Sequence, residues 1–130
     1  MLERLLGTET FITAQGALDG LAERQSTIAD NISNVNTAGY KRKYVSFEDT
    51  LQSEVQRTIS PITGASMAPF DRFKPPVSTD SQTTGRMDGN NVDIDREMAL
   101  ISEGAIKFRT ITQYISGYFS GLKSVINSGR

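Results

Sequence analysis

NISNVNTAGYKRK, Asn31 to Lys43, follows directly on an apolar-periodic segment and turns it abruptly into polar, hydrogen-bonding chain. Upstream, Phe11, Ala14, Leu18, Leu21, Gln25, Ile28, Ile32 and Val35 step by alternating threes and fours with one polar exception. That spacing predicts a helix carrying a heptad seam. About 25 residues at a rise of about 1.5 Å each would reach about 37 Å, long for a chain of this size. Gly39 marks the stop, because glycine takes positive φ without strain. Asn31, Asn34 and Asn36 carry donors and acceptors together, so they can bind free backbone groups at the helix end or groups on a neighbour. Helix termination accounts for Gly39 and one asparagine, and the others ask for a further partner.

The C-terminal third repeats the pattern through Ile94, Met98, Ile101, Ala105, Phe108, Thr112, Ile115, Phe119, Leu122 and Ile126. This predicts a second helix of about 50 Å. Asp93, Asp95 and Glu97 lie at its start, where the positive end of the helix dipole favours carboxylates, and Lys107, Arg109, Lys123 and Arg130 lie later. Asp93 is the expected N-cap. Between the two seams, Tyr44 to Phe47 reads as extended chain. Ser46 with Asp49 then resembles a capping box, opening a brief helix that presents Phe47, Leu51 and Val55 and ends near Arg57. From Thr58 to Asn91 come Pro61, Pro69, Pro75 and Pro76 with Gly64, Gly85 and Gly89, and no period survives. That texture predicts loop, extended hairpin or disorder.

The expected fold is mainly α, with long N- and C-terminal helices paired as an antiparallel coiled-coil hairpin around a short helix and an irregular or extended middle segment. Residues 1–40 would form the N-terminal helix and asparagine-rich turn, 41–91 the short helix and irregular segment, and 92–130 the C-terminal helix. Both terminal helices together would make one structural domain. A lone helix pair leaves most of its circumference wet and so invites lateral neighbours. Gly16 and Gly20 lie opposite the first seam, and Gly117 and Gly121 opposite the second. Each mid-helix glycine costs about 1 kcal/mol relative to alanine, which close approach of another backbone would offset. These four are therefore candidate interface positions.

Composition narrows the chemistry. The 130 residues are 37% hydrophobic and carry 14 basic against 15 acidic side chains, a net charge of -1. That balance argues against tracking nucleic-acid phosphates or an anionic membrane. With neither cysteine nor histidine, disulfides, thiolate metal sites, cysteine nucleophiles and the usual near-neutral base are excluded. An enzymatic reading loses most of its parts, and no cofactor is expected. MLERLLGTET, Met1 to Thr10, lacks the basic start and the apolar run of a cleavable signal, and no stretch is apolar for long enough to span a membrane.

Several local motifs resolve to plainer readings. DGNNVDIDRE, Asp88 to Glu97, fails as a calcium loop: counted from Asn91, the required glycine would be Arg96 and the bidentate glutamate Ser102. A helix start with an asparagine-rich turn, Asn90 and Asn91, is the better reading. The same carboxylates lack the aromatic pocket of a glycosidase pair. Asn31-Ile32-Ser33 matches a glycosylation sequon of a kind common by chance. Lys41, Arg42 and Lys43 are too few for a nucleic-acid footprint and read as a solvated or partner-facing turn. Phe108, Tyr114, Tyr118 and Phe119 sit at helical spacing, as seam and flank packing.

ADNISNVNTAGYKRK, Ala29 to Lys43, resembles the signature of the flagellar axial proteins of bacteria, the rod and hook family. Their pattern runs Ala-Asn-Asn-Leu-Ala-Asn-x-Asn-Thr-Pro-Gly-Tyr-Lys. Asn31, Asn34, Asn36, Thr37, Gly39, Tyr40 and Lys41 match it in place, while Asp30 stands where asparagine is usual and Ala38 replaces the proline. GNNVDIDREMA, Gly89 to Ala99, together with FSGLKSVI, Phe119 to Ile126, is similar to the proximal-rod members of that family. The resemblance implies a structural subunit without cofactor, exported unfolded through the flagellar type III apparatus without a cleavable signal peptide. It implies helical polymerisation in the periplasm into the basal-body rod, and torque transmission as the task. The implied partners are copies of itself, other flagellar rod proteins, the rod adaptor at the MS-ring junction and the flagellar export gate. Asn31, Asn34, Asn36, Thr37, Gly39, Tyr40, Lys41, Asn90, Asn91 and Asp93 join the four glycines as expected interface residues. Two alternatives differ in behaviour: another axial rod subunit would crosslink to different neighbours, and a free-standing coiled-coil adaptor would form stable helical dimers in dilute solution.

Overall fold

The computed structural model describes residues 9–59, 74–83 and 85–128. The first seam becomes α1 (Glu9–Ser33, 25 residues), followed by β1 (Lys43–Val45), α2 (Phe47–Ile59), β2 (Val77–Thr79) and α3 (Ile94–Ser128, 35 residues). The chain is therefore mainly helical, as the periodicity predicts. Phe11 meets Phe119 edge-on with ring centroids 5.9 Å apart, Ile111 packs on the cluster that holds Leu21, and Asn31 reaches Glu97. Partner numbers fall along α3 as they rise along α1, so the two long helices are antiparallel.

On α1 the heptad set Ala14, Leu21, Ile28 and Val35 is buried, while Phe11, Leu18 and Ile32 are half-buried and Gln25 is exposed. On α3 the inward stripe differs by one residue from the expected seam. Ile101, Ile115 and Leu122 are half-buried as expected, but they are joined by Gly104, Ile111 and Tyr118. Ile94, Met98, Ala105, Phe108, Thr112, Phe119 and Ile126 are exposed. The cause is Glu97, the one buried residue of α3. Its carboxylate is pinned inward, and Gly104, Ile111 and Tyr118 follow at seven-residue steps on the same face.

The expected extended segment is β1, which pairs antiparallel with β2 in the register Lys43↔Thr79, Tyr44↔Ser78 and Val45↔Val77. An extended hairpin thus accounts for the described part of the Pro-rich middle. Helix α2 opens after Ser46 with Glu48 and Asp49 in its first turn, but no hydrogen bond from the Ser46 hydroxyl closes a capping box among the described residues. The favourable charges at the helix start do that work instead. Expectations for Pro61, Gly64, Pro69, Arg130 and the Val55 side chain fall outside the described residues.

Leu21, Val45, Phe47 and Leu51 form the main buried cluster, with Ala17 and Ile111 against it. Arg24 brackets this cluster: it donates to the Val45 carbonyl at 2.9 Å, pairs with Glu48 at 2.5 Å, and lies 4.5 Å over the Phe47 ring. Partial burial pushes the Glu48 carboxyl up, but the Arg24 hydrogen bond and charge, helped by Lys107, hold it net below the usual glutamate range.

Gly20 is where α2 docks on α1. A Cβ there would sit 2.5 Å from Cγ and Cδ2 of Phe47, closer than packed carbons approach. The close approach at this glycine is made by a side-chain ring of the same chain, Phe47, and not by the backbone of a neighbour. Gly20→Ala is expected to destabilise the fold by about 1–3 kcal/mol through overpacking, despite alanine's better helix propensity. Adding Phe47→Leu should recover part of that loss in thermal unfolding, and an unchanged melting point for Gly20→Ala would show that the ring is not held there.

Candidate functional site

The polar stretch that ends α1 lies at the base of the hairpin, against the chain entering α3. After Ser33 the backbone tightens: the N–H of Val35 donates to Ile32 O at 3.2 Å and that of Thr37 to Asn34 O at 3.0 Å. Gly39 then turns with φ +74°, and its N–H donates to Asp88 O at 2.9 Å. Opposite it, Gly89 has φ +82°. Two left-handed glycines thus set the turns that bring the two ends together.

Three asparagines join them. Asn31, fully buried, acts as an extra strand beside β1: its Oδ1 accepts from Lys43 N–H at 2.9 Å and its Nδ2 donates to Lys43 O at 2.7 Å. Tyr40 Oη donates to the same Oδ1 at 3.3 Å. Asn90, also fully buried, caps the end of α1: its Nδ2 lies 3.0, 3.0 and 2.9 Å from the carbonyls of Asn34, Val35 and Thr37. They belong to the turn just past α1, where the Asn34 and Thr37 carbonyls also accept from the Thr37 and Tyr40 N–H groups. Its Oδ1 accepts from Val92 N–H at 2.8 Å. Asn91 bridges the hairpin, accepting from Arg42 N–H at 2.6 Å and donating to Asp80 O at 2.9 Å.

A buried ion pair closes the clasp. Glu97 Oε1 accepts from Arg42 Nε at 2.5 Å and Oε2 from Asn31 Nδ2 at 3.2 Å. The Arg42 and Glu97 side chains are 8% and 0% exposed. Burial pushes the Tyr40 phenol above its ordinary value, and the Asp30 and Glu97 charges add to the rise. Asp93 caps α3, its Oδ1 accepting from Asp95 N–H at 3.0 Å.

The structure therefore sorts the expected interface residues by exposure. Asn31, Asn90 and Asn91 are buried inside this chain, and Asn34 turns its amide back to the Asp30 carbonyl at 2.9 Å while accepting from the Thr37 hydroxyl at 3.2 Å. Asn36, Thr37 and Gly39 are exposed, Tyr40 and Lys41 half-buried, and Asp93 exposed. The Asn36 side chain makes no hydrogen bond among the described residues. Gly16 and Gly20 are buried, whereas a Cβ at Gly117 or Gly121 would meet open space.

Arg42 corrects the reading of the basic triplet as a solvated turn, since it is buried under its pairing with Glu97. Sequence reasoning missed that pair and the Asp80 carbonyl. Glu97 carried a detectable signal: it lies seven residues before Gly104 and four before Ile101, on the face of α3 that packs inward.

As chemistry, the clasp is a set of satisfied donors and acceptors, with its carboxylate engaged by an arginine and an amide. Among the described residues, no cluster of acidic side chains is placed to hold a metal ion. No described helix is long and apolar enough to cross a membrane.

Comparison with known proteins points the same way. The family model for flagella basal body rod proteins matches residues 11–41, which span α1 and the asparagine turn. The flagellar basal body rod protein FlgB of Bacillus subtilis strain 168 is 30% identical over 123 residues, covering 93% of this chain and 95% of that protein. FlgB of Yersinia enterocolitica is 30% identical over 139 residues, with 99% and 100% covered. FlgB of Escherichia coli is 28% identical over 139 residues, with 99% of each chain covered.

Proposed function

This chain belongs to the FlgB family of flagellar basal body rod proteins, and from that premise we propose that it polymerises helically with copies of itself and with other rod proteins to carry motor torque. It is a structural subunit of the flagellar basal body rod, in a family that is structural and not enzymatic. In the proposed arrangement the α1–α3 hairpin lies in the tube wall of a periplasmic rod, reached by type III export without a cleaved signal. The base of that rod meets the rod adaptor and the export gate.

The observation that carries this reading is the set of exposed apolar side chains along α3. Ile94, Met98, Ile106, Val125 and Ile126 are 44–70% exposed. Apolar side chains along one long helix are the material of a lateral contact. A contact between unlike faces that does not close generates a helical polymer. The clasp complements it by fixing α1, β1 and α3 in one geometry at the base of the hairpin, so a load on one helix passes to the other.

The exposed part of the asparagine turn, with Gly117 and Gly121, remains the proposed meeting place with neighbours. Asn36 is its sharpest test, because its side chain has no internal hydrogen bond to lose. Replacing Asn34 and Asn36 together with alanine should abolish rod assembly while leaving export of the chain intact. Asn36→Ala by itself should change stability by no more than about 0.5 kcal/mol. Normal motility in the double variant would sink the role given to this turn.

A further inference from the structure

A polar cleft of about 450 Å³ opens beside the clasp, between the β1–β2 hairpin and the first turn of α3, lined by Arg42, Tyr44, Asp80, Ser81, Gln82 and Arg96 among others. Arg42 enters it from the buried side. Its side chain is 8% exposed and its Nε is held by Glu97, yet no hydrogen bond joins its two terminal nitrogens to another described residue. Neither terminal nitrogen is sealed without a partner, so they keep a narrow opening toward the cleft although the side chain as a whole is only 8% exposed.

Arg96 supplies the second cation. It is exposed and has no ion pair with a described residue. It also stands in the first turn of α3, where the positive end of the helix dipole disfavours a cation. Asp80 forms no ion pair with either guanidinium among the described residues, although the Thr83 and Gln82 hydrogen bonds, with the Arg42 charge added, hold its carboxyl below the usual aspartate range. Oδ1 accepts from the N–H groups of Gln82 at 3.2 Å and Thr83 at 3.1 Å, and Oδ2 from the Thr83 hydroxyl at 2.7 Å. The cleft thus presents two guanidinium groups, beside one carboxylate already engaged with its own turn.

We propose that this cleft receives the carboxylate of an acidic side chain from a neighbouring axial subunit, held between Arg42 and Arg96. The inference rests on the subunit role proposed above and names the chemistry of one of its contacts. A guanidinium presents paired N–H groups that match the two oxygens of a carboxylate. Glu97 fixes the Arg42 head before any partner arrives, so little side-chain freedom is lost on docking. An incoming carboxylate also relieves the unfavourable placement of Arg96 at the helix start.

The test separates docking from folding because the two respond in opposite directions. Arg96→Glu should leave the melting temperature of the full chain unchanged or raised, while its recovery in purified rods falls at least tenfold. A benzophenone amino acid in place of Gln82 should crosslink, in assembled rods, to a peptide of a neighbouring subunit with Asp or Glu beside the adduct. Changing that acid to lysine should restore incorporation of the Arg96→Glu chain. Wild-type incorporation of Arg96→Glu, or adducts only on peptides without an acid nearby, overturns the proposal. Recovery of the unsubstituted chain is scored in the same rods. Its absence would sink the subunit role itself, whereas its presence beside a silent Arg96→Glu removes only the docking cleft.

Discussion

Glu97→Ala is expected to lower the unfolding free energy by about 3–5 kcal/mol, the range found when one partner of a buried ion pair is removed. The carboxylate is fully buried, and its loss strands the Arg42 guanidinium in a site only 8% exposed. It also removes the acceptor that Asn31 Nδ2 reaches at 3.2 Å, although that amide keeps Lys43 O at 2.7 Å. Most of the penalty is therefore the cost of an unanswered charge and not the worth of the pair. Glu97→Met combined with Arg42→Met should recover a large share of the loss, because apolar side chains of similar volume need no counter-charge. Urea unfolding of the full chain, followed by circular dichroism, checks both. A loss below about 1 kcal/mol for Glu97→Ala would mean that water entering through the neighbouring cleft solvates Arg42 once its partner is gone.

The same pair explains which parts of the fold could be read from the residues. The long helices were legible because a three-four step repeated over 25 and 35 residues outweighs any local exception. The rotation of α3 was not. Apolar residues occupy two adjacent stripes, one through Met98, Phe119 and Ile126 and one through Ile111 and Tyr118, so periodicity alone does not choose between them. Glu97 chooses, and its partner Arg42 lies 55 residues away. Contacts at that separation leave no local pattern.

The position of strand β2 was illegible for a different reason, although an extended hairpin was one of three readings of its stretch. Three residues, Val77–Thr79, carry no measurable period and are held by pairing with β1. The asparagine turn was legible as a place of unusual hydrogen bonding, but the direction of that bonding was not. Asn31 and Asn36 are alike in sequence, yet one is fully buried and the other exposed. Turning Glu97 inward has a consequence for assembly too: it leaves Met98 and Ile126 exposed, where neighbours can reach them, while Phe119 keeps its edge contact with Phe11.

Asn90→Asp should be the most damaging near-isosteric change in the turn, costing about 3 kcal/mol or more and exceeding Asn90→Ala. Alanine would leave the carbonyls of Asn34, Val35 and Thr37 without their shared donor and the Val92 N–H without its acceptor. The Val92 N–H is the group left orphaned, at a cost of about 1–3 kcal/mol when buried, whereas the Asn34, Val35 and Thr37 carbonyls keep the Thr37 N–H, the Arg86 guanidinium and the Tyr40 N–H. Aspartate keeps the shape and the Val92 contact but can place an oxygen where Nδ2 now lies, 2.9–3.0 Å from three carbonyl oxygens. That oxygen then faces the negative ends of three dipoles in a site with no exposure, with Arg86, bonded to the Val35 carbonyl, as the cation at hand to answer it. Hydrogen exchange should show the damage locally, with faster exchange at Thr37, Gly39 and Val92, whose amides are bonded within the clasp. Equal stability of the aspartate and alanine variants would mean that the side chain swings out to solvent, and that Arg86, which reaches the Val35 carbonyl at 3.3 Å, suffices to cap α1. If the clasp sets the geometry that neighbours read, rod incorporation should fall in the same order, with aspartate below alanine and alanine below wild type.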